Sequence, residues 1–109
     1  MDKSAVKKKG NGPFFEKCYA LLRKVPKGKV TTYKALANAL GTRAYRAVGQ
    51  AMNRNPYAPK VPCHRVVASD GSIGGFAHGT KRKIEMLKKE GVNVGNGRII
   101  NFNKKLYTF

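Results

Sequence analysis

The stretch Val61-Pro62-Cys63-His64-Arg65-Val66-Val67 sets a thiol beside an imidazole and a guanidinium, between a proline and an apolar pair. That combination suits nucleophilic chemistry. The thiolate is the reactive form of cysteine, an ordinary thiol has a pKa near ~8.5, and a neighbouring base or cation favours the charged form. His64 and Arg65 supply one of each. The same seven residues are also compatible with a small buried cysteine at a strand entrance.

The elements around this stretch have to position it. Pro56, Pro59 and Pro62 predict an extended approach that delivers Cys63 rigidly. Before them, Thr31 or Thr32 can cap a short helix carrying Tyr33, Leu36, Ala37 and Leu40, which Gly41 ends. Thr42 can cap a second helix from Arg43 to about Asn53, with Ala44, Ala47, Val48, Ala51 and Met52 on one face and Arg43, Arg46 and Arg54 on the rest. Two short helices joined by a glycine turn, the second basic, form a helix-turn-helix pattern over about residues 32–54. An ordinary helix hairpin with solvated arginines is the alternative, and the charge of the chain weighs against it. Phe14, Cys18, Leu21, Leu22 and Val25 mark an earlier amphipathic helix with Pro13 in its first turn. Downstream, Val66 to Ala68 reads as a strand and Ser69 to Ser72 as a turn, together suggesting a hairpin. Ile73 to Gly79 is a glycine-rich loop able to approach a ligand closely. A helix capped by Thr80 then carries Ile84, Met86 and Leu87 to Gly91, and Ile99, Ile100 and Phe102 suggest a last strand. The expected fold is mainly α with short β-strands, a winged-helix-like single domain over residues 13–109, preceded by a flexible basic arm over residues 1–12.

The chain has 109 residues, with 23 Lys and Arg against five Asp and Glu, a formal charge of +18. Such a balance points to a polyanionic partner and to binding that weakens steeply with salt. No apolar run approaches the ~18 residues of a membrane span, and no signal segment opens the chain, so an intracellular, cytoplasmic protein with reduced thiols is expected. The two cysteines and two histidines make no zinc pattern, and no metal is expected. His78 reads as a surface histidine.

Taken jointly, Pro62-Cys63-His64-Arg65-Val66-Val67, the upstream Arg46-Ala47-Val48-Gly49 with Asn55-Pro56, and the downstream Gly71-Ser72-Ile73-Gly74-Gly75-Phe76 resemble the O6-alkylguanine-DNA alkyltransferases. The likeness runs from about Phe14 to Gly91. These proteins usually carry a further N-terminal domain, so the chain looks like the catalytic C-terminal domain.

The resemblance implies DNA repair by a monomer without a cofactor, which takes the alkyl group from O6 of guanine in double-stranded DNA onto its own cysteine, once per molecule. The acceptor would be Cys63, with His64 its base through a water, Glu90 orienting that histidine, and Tyr33 donating to the departing guanine. Arg46 would fill the gap left by the flipped base, on a helix lying in the minor groove, where Ala47 and Gly49 keep close approach possible. Arg43 belongs to the same basic face. Tyr45 and Gln50 stand where the family commonly has alanine and glycine, which changes the groove contacts. Guanine would be read by backbone groups of Cys63 and Val66 and walled by Phe76 and Ala77, where the family often has tyrosine and serine. Asn55 would brace the turn between the helix and the site. Three other readings compete: a non-enzymatic relative that binds and flags alkyl lesions, which would lack the acceptor cysteine; a plain basic helix-turn-helix or RNA-binding protein with an inert Cys63; and a cysteine hydrolase built on Cys63, His64 and Glu90.

Overall fold

The computed structural model describes residues 12–58, 60–73 and 79–109. The expected arm, apart from Gly12, and the loop residues Phe76, Ala77 and His78 lie outside the described residues. In chain order the elements are α1 (Pro13–Leu22), β1 (Thr31–Thr32), α2 (Tyr33–Ala39), α3 (Tyr45–Asn53), a 3-10 turn (Cys63–Arg65), β2 (Val66–Val67), α4 (Thr80–Lys89), β3 (Val94–Gly95), β4 (Arg98–Ile99) and α5 (Phe102–Lys105). The fold is mainly helical with four short strands among the described residues.

Two hydrophobic clusters make the core, and β2 stands between them. Successive side chains of a strand point to opposite faces. Val66 accordingly joins the cluster of α1, α2 and α3, with Leu22, Leu36, Val48 and Ala51, while Val67 joins Val30, Ile73, Leu87, Val92 and Ile99. β2 pairs with β1 in parallel, Thr31 opposite Val66 and Thr32 opposite Val67. A parallel pair needs a long crossover. Here the helix-turn-helix and the proline segment provide it, and they end at Cys63.

The helix-turn-helix forms largely as its sequence predicts. Thr32 is the cap, its hydroxyl accepting from the Ala35 amide at 2.9 Å, and Gly41 takes the left-handed conformation at φ +73° that ends α2. The second helix starts at Tyr45, two residues later than expected. Thr42 bonds the Ala44 amide at 3.1 Å instead of capping a helix from Arg43, and Ala44 is exposed.

Other expectations are corrected. The buried face of α1 is Phe15, Cys18, Tyr19 and Leu22, whereas Phe14 and Leu21 are half-buried; Tyr19 turns inward because its hydroxyl reaches the Ala51 carbonyl at 2.8 Å. Residues before Cys63 are turned, not extended, with the Val61 amide donating to the Tyr57 carbonyl at 3.1 Å. The turn after β2 exists, Gly71 donating to Ala68 at 2.9 Å and Ala68 to Ser72 at 3.0 Å, but among the described residues no strand of a hairpin follows it: β2 pairs with β1, and Ser72 bridges to Arg98. Gly79 precedes α4, and Thr80 is its first residue without capping it. The last strand is β4, paired antiparallel with an unforeseen β3, while Ile100 is exposed and Phe102 opens α5. No helix among the described residues is long and apolar enough to cross a membrane.

Candidate functional site

Cys63 opens the 3-10 turn that joins the crossover to β2, and is 5% exposed. The sequence suggested an extended approach to Cys63; a turn is found instead, the Arg65 amide closing onto the Pro62 carbonyl at 2.9 Å. Neighbouring side chains on a 3-10 turn still diverge, by about 120° at three residues per turn.

Asn55 fixes the approach to the turn. Its side-chain amide donates to the Val61 carbonyl at 2.7 Å, and its oxygen accepts from the Tyr57 amide at 2.9 Å. One side chain thus ties both ends of the proline segment, two residues before the thiol.

His64 is buried and meets Glu90, the residue that closes α4, with Nε2 and Oε2 2.9 Å apart. A carboxylate only accepts, so Nε2 carries the proton and Nδ1 of the neutral ring keeps a lone pair. Burial pushes His64 below its ordinary pKa against the opposing pull of Glu90, which favours that neutral ring. Burial by itself would raise Glu90, but hydrogen bonds from Arg65 and His64 outweigh it and hold the carboxyl below its usual range. Arg65 grips Glu90 in a fork, Nε to Oε1 at 2.8 Å and a terminal nitrogen to Oε2 at 2.7 Å, and its other nitrogen donates to the Val25 carbonyl at 2.7 Å. The guanidinium considered from sequence as a partner of the thiol thus clamps the carboxylate that holds the histidine.

Tyr33, first residue of α2, is half-buried, and its hydroxyl pKa is raised by burial and by the charge of Cys63. It stays a proton donor across the neutral range. The electrostatic link with Cys63 places the tyrosine and the thiol in one neighbourhood.

Lys83 was not foreseen. It is fully buried on α4, its ammonium donating to the Val66 carbonyl at 2.6 Å and the Ile73 carbonyl at 2.8 Å. Burial lowers its pKa from 10.5 to about 8, and the charge of Cys63 pulls it back up. The helical spacing Lys83-Leu87 was its only signal in sequence, one a solvated lysine would share. Val66, expected to read guanine through its backbone, is buried and already accepts from Lys83; a carbonyl has two lone pairs, so one remains.

The expected DNA-facing residues lie on α3 and just before it. Arg43, Tyr45, Arg46 and Gln50 are exposed, Tyr45 by 41%. Ala47 and Gly49 are half-buried between them and the core face, and nothing lies within 4 Å of where a Gly49 side chain would start. Small residues there leave the helix surface open to a close partner. Phe76 and Ala77, the expected pocket wall, lie outside the described residues.

Comparison with known proteins identifies the family. Residues 13–92 match the family model described as 6-O-methylguanine DNA methyltransferase, DNA binding domain. A methylated-DNA--protein-cysteine methyltransferase of Saccharolobus islandicus is 46% identical over 82 residues, 75% of this chain and 53% of that protein. The crystal structure of O6-methylguanine-DNA methyltransferase from Pyrococcus kodakaraensis superposes with a TM-score of 0.70 at 52% identity, covering 77% of this chain and 49% of that one. S. pombe Atl1, crystallised with damaged DNA containing O6-carboxymethylguanine, superposes with a TM-score of 0.77 at 32% identity, covering 88% of this chain and 95% of that one. The chain spans about half the length of the curated relative and of the Pyrococcus chain.

Proposed function

This chain belongs to the 6-O-methylguanine DNA methyltransferase DNA-binding-domain family, and from that premise we propose that it repairs DNA by moving the alkyl group of O6-alkylguanine onto its own Cys63. The observation that carries the proposal is the chain of groups behind the thiol: His64, kept neutral by burial with its Nε2 proton directed at Glu90, which Arg65 clamps in turn. This is the nucleophile, base and orienter arrangement. The thiol proton passes through a water to Nδ1 of His64. Sulfur then attacks the alkyl carbon, the S–C bond forms as the C–O6 bond breaks, and the guanine leaves with a hydrogen bond from Tyr33. A thioether is no leaving group under these conditions, so each molecule acts once.

A stacked base is out of reach of Cys63, so the lesion is flipped out at a cost of a few kcal/mol. Arg46, exposed on α3, would enter the gap, with Ala47 and Gly49 admitting the minor groove and Arg43, Tyr45 and Gln50 flanking it. Val66, Phe76 and Ala77 would line the guanine pocket, and Asn55 supports it from behind. In this reading residues 13–109 are the alkyltransferase domain, with its helix-turn-helix over about 32–54 and a basic arm before it, acting as a cytoplasmic monomer without cofactor.

The likeness to S. pombe Atl1 over 95% of that chain supports a second reading, in which the protein only binds alkyl lesions. Intact-protein mass after mixing with a duplex carrying one O6-methylguanine separates the two. One added methyl, mapped to Cys63 and absent from Cys63→Ser while that variant still binds, is the expected result. Tight binding with no mass change would overturn the transfer reading in favour of lesion binding.

A further inference from the structure

The sequence carries far more positive charge than α3 uses, and much of it meets at the closed end of α4. The turn of residues 26–29 abuts that end, since a side chain started at Gly28 would meet the Glu90 carbonyl at 3.5 Å. α5 is fastened to the same turn: Lys29 Nζ donates to the Lys104 carbonyl at 2.9 Å, the Val30 amide to the Lys105 carbonyl at 2.9 Å, and the Tyr107 amide back to the Val30 carbonyl at 2.7 Å. Three segments distant in sequence therefore bring Lys27, Lys29, Lys88, Lys89, Lys104 and Lys105 to one surface.

The acids that might neutralise it are engaged elsewhere. Of the five in the chain, Asp2 lies outside the described residues. Glu16 accepts from Tyr57 at 3.0 Å, Asp70 pairs with Arg98 at 3.2 Å, and the Glu90 carboxylate turns inward to His64 and Arg65. Glu85 alone is left on the exposed side of α4. Favourable placement of lysines at helix C-termini accounts for Lys88, Lys89, Lys104 and Lys105 one helix at a time. Lys29 is engaged with the Lys104 carbonyl, but nothing of this kind accounts for Lys27, which lies in a turn, nor for the meeting of all three groups.

The surface is built on the cluster of Val30, Val67, Leu87, Val92 and Ile99, whereas α3 packs in the other cluster. His64 and Glu90 lead from the thiol toward the end of α4, so a duplex that inserts a base at Cys63 from α3 leaves these lysines uncovered. We propose that this lysine surface is a second DNA-binding face, which holds the phosphates of a second duplex while α3 holds the first. It recognises backbone charge without sequence, and it lets the protein pass between neighbouring segments of DNA without entering free solution. The proposal rests on the DNA-binding part of the preceding reading, not on alkyl transfer.

The test uses the full chain with two short duplexes, one carrying a donor dye and one an acceptor, each too short for two proteins side by side. At low salt the wild type is expected to give energy transfer and a complex of one protein with two duplexes by sedimentation. The variant Lys27→Ala/Lys88→Ala/Lys89→Ala/Lys104→Ala changes only exposed side chains. It should lose bridging, keep one-to-one binding and methyl transfer, and lower the salt slope of second-duplex binding by about 0.9 for each lysine that contacts a phosphate. A wild type that stops at one duplex, bridging that requires two protein copies, or undiminished bridging by the variant would each overturn the proposal. Methyl transfer is read in the same samples, so bridging without transfer would count against the repair reading alone.

Discussion

Glu90→Gln tests whether one carboxylate both stabilises the fold and orders the site. Arg65 and Glu90 are 13% and 12% exposed, and their fork is the main neutralisation of a charge held inside the protein. Removing one member of a buried pair strands the other and costs about 3–5 kcal/mol. Glutamine keeps one accepting oxygen, which places the expected loss at the lower end, roughly 3 kcal/mol. For a domain of this size that lowers Tm by roughly 12 °C. The sign with pH follows from the depressed pKa of Glu90: its contribution is present above the unfolded value near ~4.3 and disappears as pH falls through the folded one, so wild type and variant should converge in acid. Loss of the carboxylate also frees His64 from its tautomer, and the single-turnover transfer rate should fall by roughly 100-fold or more, the range of a general base. The second variant, Arg65→Met/Glu90→Gln, strands no charge. It should recover stability relative to Glu90→Gln, short of the Val25 carbonyl left without its donor, and remain equally slow. Denaturant melts and quenched-flow mass spectrometry below the melting range give both quantities. A stability loss under ~1 kcal/mol would refute the buried-pair argument, and transfer restored along with stability in the double variant would refute the relay.

Burial lowers the pKa of Lys83 from 10.5 to about 8, so the folded chain sheds this proton before the unfolded one does. Between those values the stability of wild type relative to Lys83→Met should rise by about 3 kcal/mol, and a difference that is flat with pH in urea titrations would mean the lysine is not desolvated. Arg46→Ala should slow transfer from duplex DNA far more than from free O6-alkylguanine base, and equal slowing of both would remove its role in base flipping. Gly71 has φ +88°, and a side chain there would start 3.0 Å from the ring of Phe102. Gly71→Ala should therefore cost more than the ~1 kcal/mol typical of a point mutant, and an unchanged melting curve would show that Phe102 moves aside.

The parts legible in sequence are those governed by local rules. The Thr32 cap, the glycine that ends α2, and the glycine after Glu90 are decided within a few residues, and each is where its chemistry predicts. The apolar spacing of α3 likewise reported its buried Val48, Ala51 and Met52. For α1 the spacing gave a helix but turned it slightly, because only the Ala51 carbonyl, 32 positions away in sequence, makes the inside favourable for a tyrosine hydroxyl.

What tertiary structure alone decided concerns pairing over distance. Nothing local tells Val66-Val67 to prefer Thr31-Thr32 over a hairpin, and that choice places Cys63 at the seam of two cores. The resemblance in sequence named Cys63, His64 and Glu90, but not that Arg65 would clamp the glutamate, nor that Lys83 would lie buried against Val66. Charged residues carry no mark in sequence of whether they meet water or a carbonyl. Their partners arrive from other segments, and the low dielectric that gives those contacts their strength exists only once the segments have packed.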